Sequence, residues 1–115
     1  MSISLNTMRL KECRAKMGIS KMEAAKRMQL SQPAYLRYEA RTRTPSFQTL
    51  AVIASVLNTS VEYLIDQSDD SIPVAYTISK AEDPMLFEII QLCKNADNDM
   101  ISRIMAYASR LVVSK

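Results

Sequence analysis

Apolar side chains recur along this chain at the three- and four-residue spacing of helices, in short runs separated by capping and turn residues. In the first run, residues 5–17, Leu10, Cys13 and Met17 share a face. Gly18 follows as a residue that reaches positive φ without steric cost. Ser20-Lys21-Met22-Glu23 has the form of a capping box. The Ser20 hydroxyl would accept from the Glu23 N–H, and the Glu23 carboxylate would reach back to the Ser20 N–H. A second helix then runs to about residue 28, burying Met22 or Ala25, with Ala24 and Met28 near its packing face. After a turn at Gln29-Leu30-Ser31, Ser31 caps a third helix over 32–40. Pro33 falls in its first turn, where a missing N–H is tolerated. Ser46 caps a fourth helix with Leu50, Ile53, Ala54 and Leu57 at i, i+3, i+4 and i+7. Asn58 stands in the C′ place that glycine often takes, and Ser60 caps a short fifth helix over 61–65.

The pattern changes after residue 66. Residues 67–83 read as a linker dense in Ser, Asp and Pro. Within it, Val74-Ala-Tyr-Thr-Ile78 has strand-like composition, and is either a strand that needs a partner or simply extended chain. Asp83 and Pro84 are an N-cap and N1 pair opening a helix over 84–94, with Leu86, Ile89, Ile90 and Cys93 on one side. Beyond Asn95–Asn98, a seventh helix sets Ile101, Ile104, Met105, Ala108, Leu111 and Val112 at a/d/e spacing. The short connection favours an antiparallel pair. The expected fold is all-α: a five-helix domain over 1–66, a linker over 67–83, and a helical hairpin over 84–115.

Composition narrows the chemistry. The chain has 115 residues, 48% hydrophobic and 23% charged, which suits one small globular domain with an appendage. It has no histidine, which removes Ser-His, Cys-His and His-metal chemistry, and one glycine, too few for a phosphate-cradling loop. Cys13 and Cys93 lie far apart in amphipathic stretches and read as a reduced, buried pair. No enzyme activity, metal or cofactor is expected. No stretch approaches the ~20 apolar residues of a membrane span, and the first residues lack a basic region followed by an apolar core. The expectation is a cytoplasmic protein with no membrane partner. The net charge of +3 is divided unevenly: residues 1–66 carry ten bases and five acids, residues 67–115 five bases and seven acids. Such a split suggests that the first part meets a polyanion and the second does something else.

Two short helices joined by a tight turn, with basic residues around the second, form a helix-turn-helix pattern. The particular residues go further. Arg9-Leu-Lys-Glu-Cys-Arg14, Met17-Gly-Ile-Ser-Lys-Met-Glu-Ala-Ala25, Leu30-Ser-Gln-Pro-Ala-Tyr-Leu-Arg-Tyr-Glu39, Arg43-Thr-Pro-Ser46, and Thr49-Leu50 through Leu57-Asn-Thr-Ser-Val-Glu-Tyr-Leu64 closely resemble the Cro/phage-repressor-type helix-turn-helix family, often called XRE. The resemblance covers residues 9–66, about half the chain, with every loop of family length.

The resemblance implies a recognition helix over 32–40, lying in the major groove of double-stranded DNA. Gln32 takes the leading base-contact position, where its amide can pair bidentately with adenine. Pro33 and Ala34 either offer apolar surface to a thymine methyl or merely begin the helix. Leu36, where the family usually has a small polar residue, either contacts a thymine methyl or turns inward. Arg37 suits a guanine fork or a phosphate clamp. Tyr35 and Tyr38 fall at core positions rather than on the bases. Phosphate contacts would come from Lys21, Ser31, Arg41, Thr42, Arg43 and Thr44. Arg14 and Glu39 take the places of a structural ion pair, which removes Arg14 from the DNA-contacting set. Arg41 departs from the family, which usually has glycine there. Either it holds positive φ at a steric cost, or the turn has another geometry.

A repressor-type domain alone reads only a half-site, so the resemblance also implies a homodimer. The second half would supply its interface through Ile89, Ile90, Leu92, Ile101, Ile104, Met105, Leu111 and Val112. The functional expectation is a sequence-specific transcriptional regulator, a repressor binding operator DNA as a homodimer. The alternative is an antitoxin-like or anti-repressor-like module whose C-terminal helices bind another protein.

Overall fold

The computed structural model describes residues 4–113. Its regular structure, among those residues, is entirely helical: α1 (Thr7–Met17), α2 (Lys21–Arg27), α3 (Gln32–Glu39), α4 (Phe47–Val56), α5 (Val61–Leu64), α6 (Pro84–Lys94) and α7 (Asn98–Val113). Residues 74–78 are irregular, so the strand-like composition there does not become a strand. The chain divides into two compact units, Met1–Thr77 and Ile78–Lys115.

In the first unit each helix is started by a side chain. Asn6 accepts from the Met8 and Arg9 N–H groups, so α1 begins at Thr7 and Leu5 lies ahead of it, buried. Ser20, Ser31, Ser46 and Ser60 each accept from the N–H three residues on. The capping box at Ser20 has its first arm, but the Glu23 carboxylate turns instead to Arg27, at 3.1 Å.

The ends of these helices share a second device. Gly18, Gln29, Arg41, Asn58 and Asp66 all have positive φ, between 53° and 69°. After the last four, the next N–H returns to a carbonyl five residues back: Leu30 to Ala25, Thr42 to Arg37, Thr59 to Ala54 and Gln67 to Glu62. This is the Schellman closure, which satisfies carbonyls orphaned at a helix end. Only Gly18 is the residue type that reaches αL freely. A Cβ built on it would meet nothing within 4 Å, so the glycine serves its φ of 69° and not a close contact.

The core is made by Leu10, Tyr35, Leu50, Ile53 and Leu64, all fully buried, with Cys13, Ala24, Ala25, Met28, Tyr38, Ala54 and Leu57 around them. The alternative between Met22 and Ala25 is settled by the turn of α2: Ala25 is buried and Met22 is 63% exposed. Residues 67–77, expected as part of a linker, are bonded to this unit. Thr59 Oγ1 donates to the Ser71 carbonyl at 2.9 Å, and the Asn58 amide accepts from Thr77 N–H and donates to its carbonyl.

The second unit holds α6 and α7. Asp83 sits at the N-cap of α6 but makes no side-chain cap bond. Ser79 organises the turn before it, with its carbonyl accepting from Asp83 N–H and its hydroxyl from Glu82 N–H. Asp97 caps α7 through Met100 N–H. Among the described residues of α6 and α7, none is buried. Cys93 is half-buried rather than buried, and both cysteines are free thiols.

Candidate nucleic-acid interface

The helix α3 has two faces with different work. Tyr35, Tyr38 and Glu39 point into the core. Gln32, Pro33, Leu36 and Arg37 are exposed, and Ala34 is half-buried at the edge between the faces. Leu36 turns outward and is 37% exposed. The i, i+4 pairs Gln32/Leu36 and Pro33/Arg37 therefore lie as two adjacent rows on one free surface, since residues four apart stack along a helix.

What holds this surface is a buried polar cluster behind it. Arg14 Nε donates to Glu39 Oε2 at 2.8 Å, and Arg14 Nη1 donates to the Ile19 carbonyl at 3.0 Å. The Tyr35 hydroxyl donates to the same Glu39 oxygen. Glu39 is 3% exposed and its Oε1 has no hydrogen-bond partner. Burial, reinforced by the neighbouring carboxylate, pushes the Tyr35 hydroxyl pKa well up, so it remains a donor. The cluster ties α1, the turn before α2, and the end of α3 into one body. Arg14 is thereby occupied with the fold and not presented to a ligand.

The residues flanking α3 are polar and largely free. Lys21 is exposed at the first position of α2. Ser31 Oγ is engaged as the cap of α3 but keeps its own proton to donate. After α3 the chain turns at Arg41, whose φ is 65°. The first of the two geometries open for this residue is the one adopted: a non-glycine side chain in αL, at a cost of roughly 1–2 kcal/mol. Thr42 closes the turn with both its N–H and its hydroxyl on the Arg37 carbonyl, at 3.0 and 3.3 Å. Arg41, Arg43 and Thr44 then line a cleft of about 310 Å³ with Ser4, Leu5, Thr7 and Tyr38. The sequence did not point to the N-terminal side of this cleft. Its signal was slight: Leu5 is apolar and sits ahead of the helix that Asn6 caps.

Arg9 is a second basic residue whose role charge counting missed. Its guanidinium donates to the Tyr63 and Ser68 carbonyls and to Asp69 Oδ1, each at 2.8 Å, and lies 4.2 Å from the centre of the Tyr63 ring. The hydrogen bond to Asp69 holds the guanidinium pKa up. Arg27 is likewise paired, with Glu23. The basic side chains presented by the first unit are thus fewer than its ten, and Lys21, Arg37, Arg41 and Arg43 are exposed around α3.

Nothing else in the described residues has the form of a reaction centre. No group of three or more Cys, Asp or Glu side chains is placed to hold a metal ion there, and no helix is long and apolar enough to cross a membrane. The Cys13 thiol is buried, and its pKa is pushed up by that burial, which makes it a poor nucleophile.

Two short helices joined by a tight turn, the second with an exposed outer face and an inner face locked into the core, have the form of a helix-turn-helix. Comparison with known proteins agrees: residues 10–64 are similar to the helix-turn-helix family. Over 56 residues the chain is 34% identical to an uncharacterized HTH-type transcriptional regulator, YqaE, of Bacillus subtilis (strain 168). That match takes in 49% of this chain and 48% of the relative, so the chain spans about half the length of the curated relative it matches. No solved structure matches significantly.

Proposed function

We propose that this protein is a DNA-binding transcription regulator, and a repressor that occupies its operator as a homodimer. The observation that carries the reading is the outer surface of α3. Gln32, Pro33, Leu36 and Arg37 stand free on a helix whose other side is locked into the core. In the major groove Gln32 pairs with adenine, Arg37 with guanine or a phosphate, and Pro33, Ala34 and Leu36 meet thymine methyls. Lys21, Ser31, Arg41, Thr42, Arg43 and Thr44 grip the backbone and set the register. The family match and the relative's description as a transcriptional regulator support the same reading.

The test is selection of genomic fragments by the purified protein, followed by gel-shift titration across salt. Specific fragments and a log–log salt slope of about −0.9 per phosphate contact are expected. Failure to retain any fragment at low salt would reject the reading. The second reading, an antitoxin-like or anti-repressor-like module, is favoured by one observation: the C-terminal helices present apolar faces that a protein partner could cover.

A further inference from the structure

We propose that the cleft at the C-terminal end of α3 is a binding site for a small free anion carrying a phosphate group. Its occupant draws on Arg41 and Arg43, which the reading above gives to the DNA backbone, so the anion and DNA exclude each other. The exclusion rests on the DNA reading; the anion site itself does not.

Three observations lead there. The first is charge. The cleft is lined by two guanidinium groups, Arg41 and Arg43, and by no carboxylate. Neither arginine has an ion-pair partner among the described residues. Other arginines of the same unit are answered by acids: Arg9 by Asp66 and Asp69, Arg14 by Glu39, and Arg27 by Glu23. Cations of one sign gathered over a recess concentrate anions there.

The second is the wall of the cleft. Tyr38 and Thr7 are only 7% and 6% exposed, and both line it. The Tyr38 ring belongs to the core, yet its hydroxyl has no hydrogen-bond partner among the described residues, and neither has that of Thr7. Glu39 Oε1 is without a partner because the protein seals it in; these two hydroxyls are not sealed. Polar groups of residues this buried ordinarily have partners. A ligand entering the cleft supplies the missing ones.

The third is the match of donors to ion. Ser4 and Thr44 add two further hydroxyls. A phosphate monoester presents three strong acceptor oxygens and close to two negative charges, which suits two guanidinium forks and four hydroxyls better than a carboxylate does. At about 310 Å³ the cleft lies at the lower end of the ~300–1,000 Å³ range of small-molecule sites, with room for a small organic group on the phosphate. A free ion reaches recessed hydroxyls more readily than a phosphate fixed in a duplex.

The experiment is nuclear magnetic resonance of the ¹⁵N-labelled full chain, titrated with inorganic phosphate against sodium chloride at equal ionic strength. The expected result is saturable shifts of the amides over 4–7 and 38–44, with a dissociation constant on the order of 1 mM. Tyr38→Phe keeps the ring and removes the hydroxyl, and should raise that constant about tenfold. Arg43→Ala should raise it at least as much. Lys26→Ala, which removes an exposed cation outside the cleft, should leave it unchanged. The dispersion of the remaining amides reports that each variant is folded. Shifts that never saturate, that spread over exposed cations such as Lys11 and Lys26, that persist in Tyr38→Phe, or that acetate reproduces would each overturn the inference. So would a Tyr38→Phe chain that loses affinity for duplex DNA while free phosphate fails to bind the parent, since the cleft would then belong to the DNA backbone. The exclusion is read by gel shift: saturating phosphate should release duplex that chloride of equal ionic strength leaves bound. Duplex retained under saturating phosphate overturns the exclusion. A chain that binds phosphate but no DNA rejects the DNA reading and leaves the anion site standing.

Discussion

The two units of this molecule invert the usual relation between pattern and burial. The apolar face of α7 is the most regular in the chain, yet none of the helix's described side chains is buried. The apolar positions of α2 are few, yet Ala24, Ala25 and the C-cap Met28 are buried and only Met22 is left exposed. Periodicity reports that a helix has a face to cover. What covers that face depends on whether the chain can bring another of its own elements there. In the first unit five helices, each short and capped, close around Tyr35, Leu10 and Leu50. In the second, two helices have too few neighbours to bury a surface of that width.

This contrast can be broken most sharply by truncation. Leu50→Ala in the first unit should cost about 2–5 kcal/mol, because it empties a fully buried site. Leu92→Ala, measured where the chain is monomeric, should stay within about 0.5 kcal/mol, as for other exposed positions. Chemical denaturation with equal m-values checks both, and similar losses at the two sites would abolish the distinction. Glu39→Ala should be of the same order as the larger effect. Removing one side of a buried pair costs about 3–5 kcal/mol, and it also strips the Tyr35 hydroxyl of its acceptor. An unchanged melting temperature would mean that Glu39 does not hold α3 in place.

On the outer surface the same helix should behave differently. Gln32→Ala and Arg37→Ala should leave stability within about 0.5 kcal/mol while weakening operator binding by about 1–3 kcal/mol, roughly fivefold to 150-fold. Arg41→Gly sharpens the comparison further, since it should act in opposite senses. Relief of the αL side chain should stabilise the fold by up to about 1 kcal/mol. Loss of the cation should shallow the salt slope of DNA binding by about 1. A loss of stability would show that the Arg41 side chain itself supports the turn.

The smallest expected effect is on pH. The folded state holds the Tyr35 pKa above its unfolded value, so folded protein binds more protons once unfolded tyrosine begins to ionise. This contribution is fully present below about pH 10 and declines as pH rises beyond it. Cys13, also shifted upward by burial, has the same sign and begins near pH 8.5. Urea titrations from pH 7 to 11 should show stability falling at the alkaline end, and less steeply in Tyr35→Phe.

Much of the first unit was legible because its signals are local. Ser20, Ser31, Ser46 and Ser60 mark helix starts by a hydroxyl that reaches an N–H three residues away, and such a contact needs no tertiary knowledge. The helix ends were partly legible. Gly18 and Asn58 announce αL turns, whereas Gln29 and Asp66 adopt the same φ with less suitable side chains. There the Schellman bonds and the packing of the next helix override local preference. Arg9 was not legible at all. Its partners are 54 to 60 residues away, so in sequence it is one more positive charge. The same holds for residues 67–77, whose composition resembles a linker but whose backbone is caught by Asn58 and Thr59.

The sequence by itself determined the helix starts at Ser20, Ser31, Ser46 and Ser60 and the absence of histidine. Those properties follow from residue type and from contacts within a turn or two. The family resemblance already implied the pairing of Arg14 with Glu39, which the structure contains. Only the tertiary structure paired Arg9 with the segment after α5, left Arg37, Arg41 and Arg43 exposed, and left the apolar faces of α6 and α7 without cover. The reason is that burial and pairing depend on distances between residues far apart in the chain, which residue type and spacing do not specify.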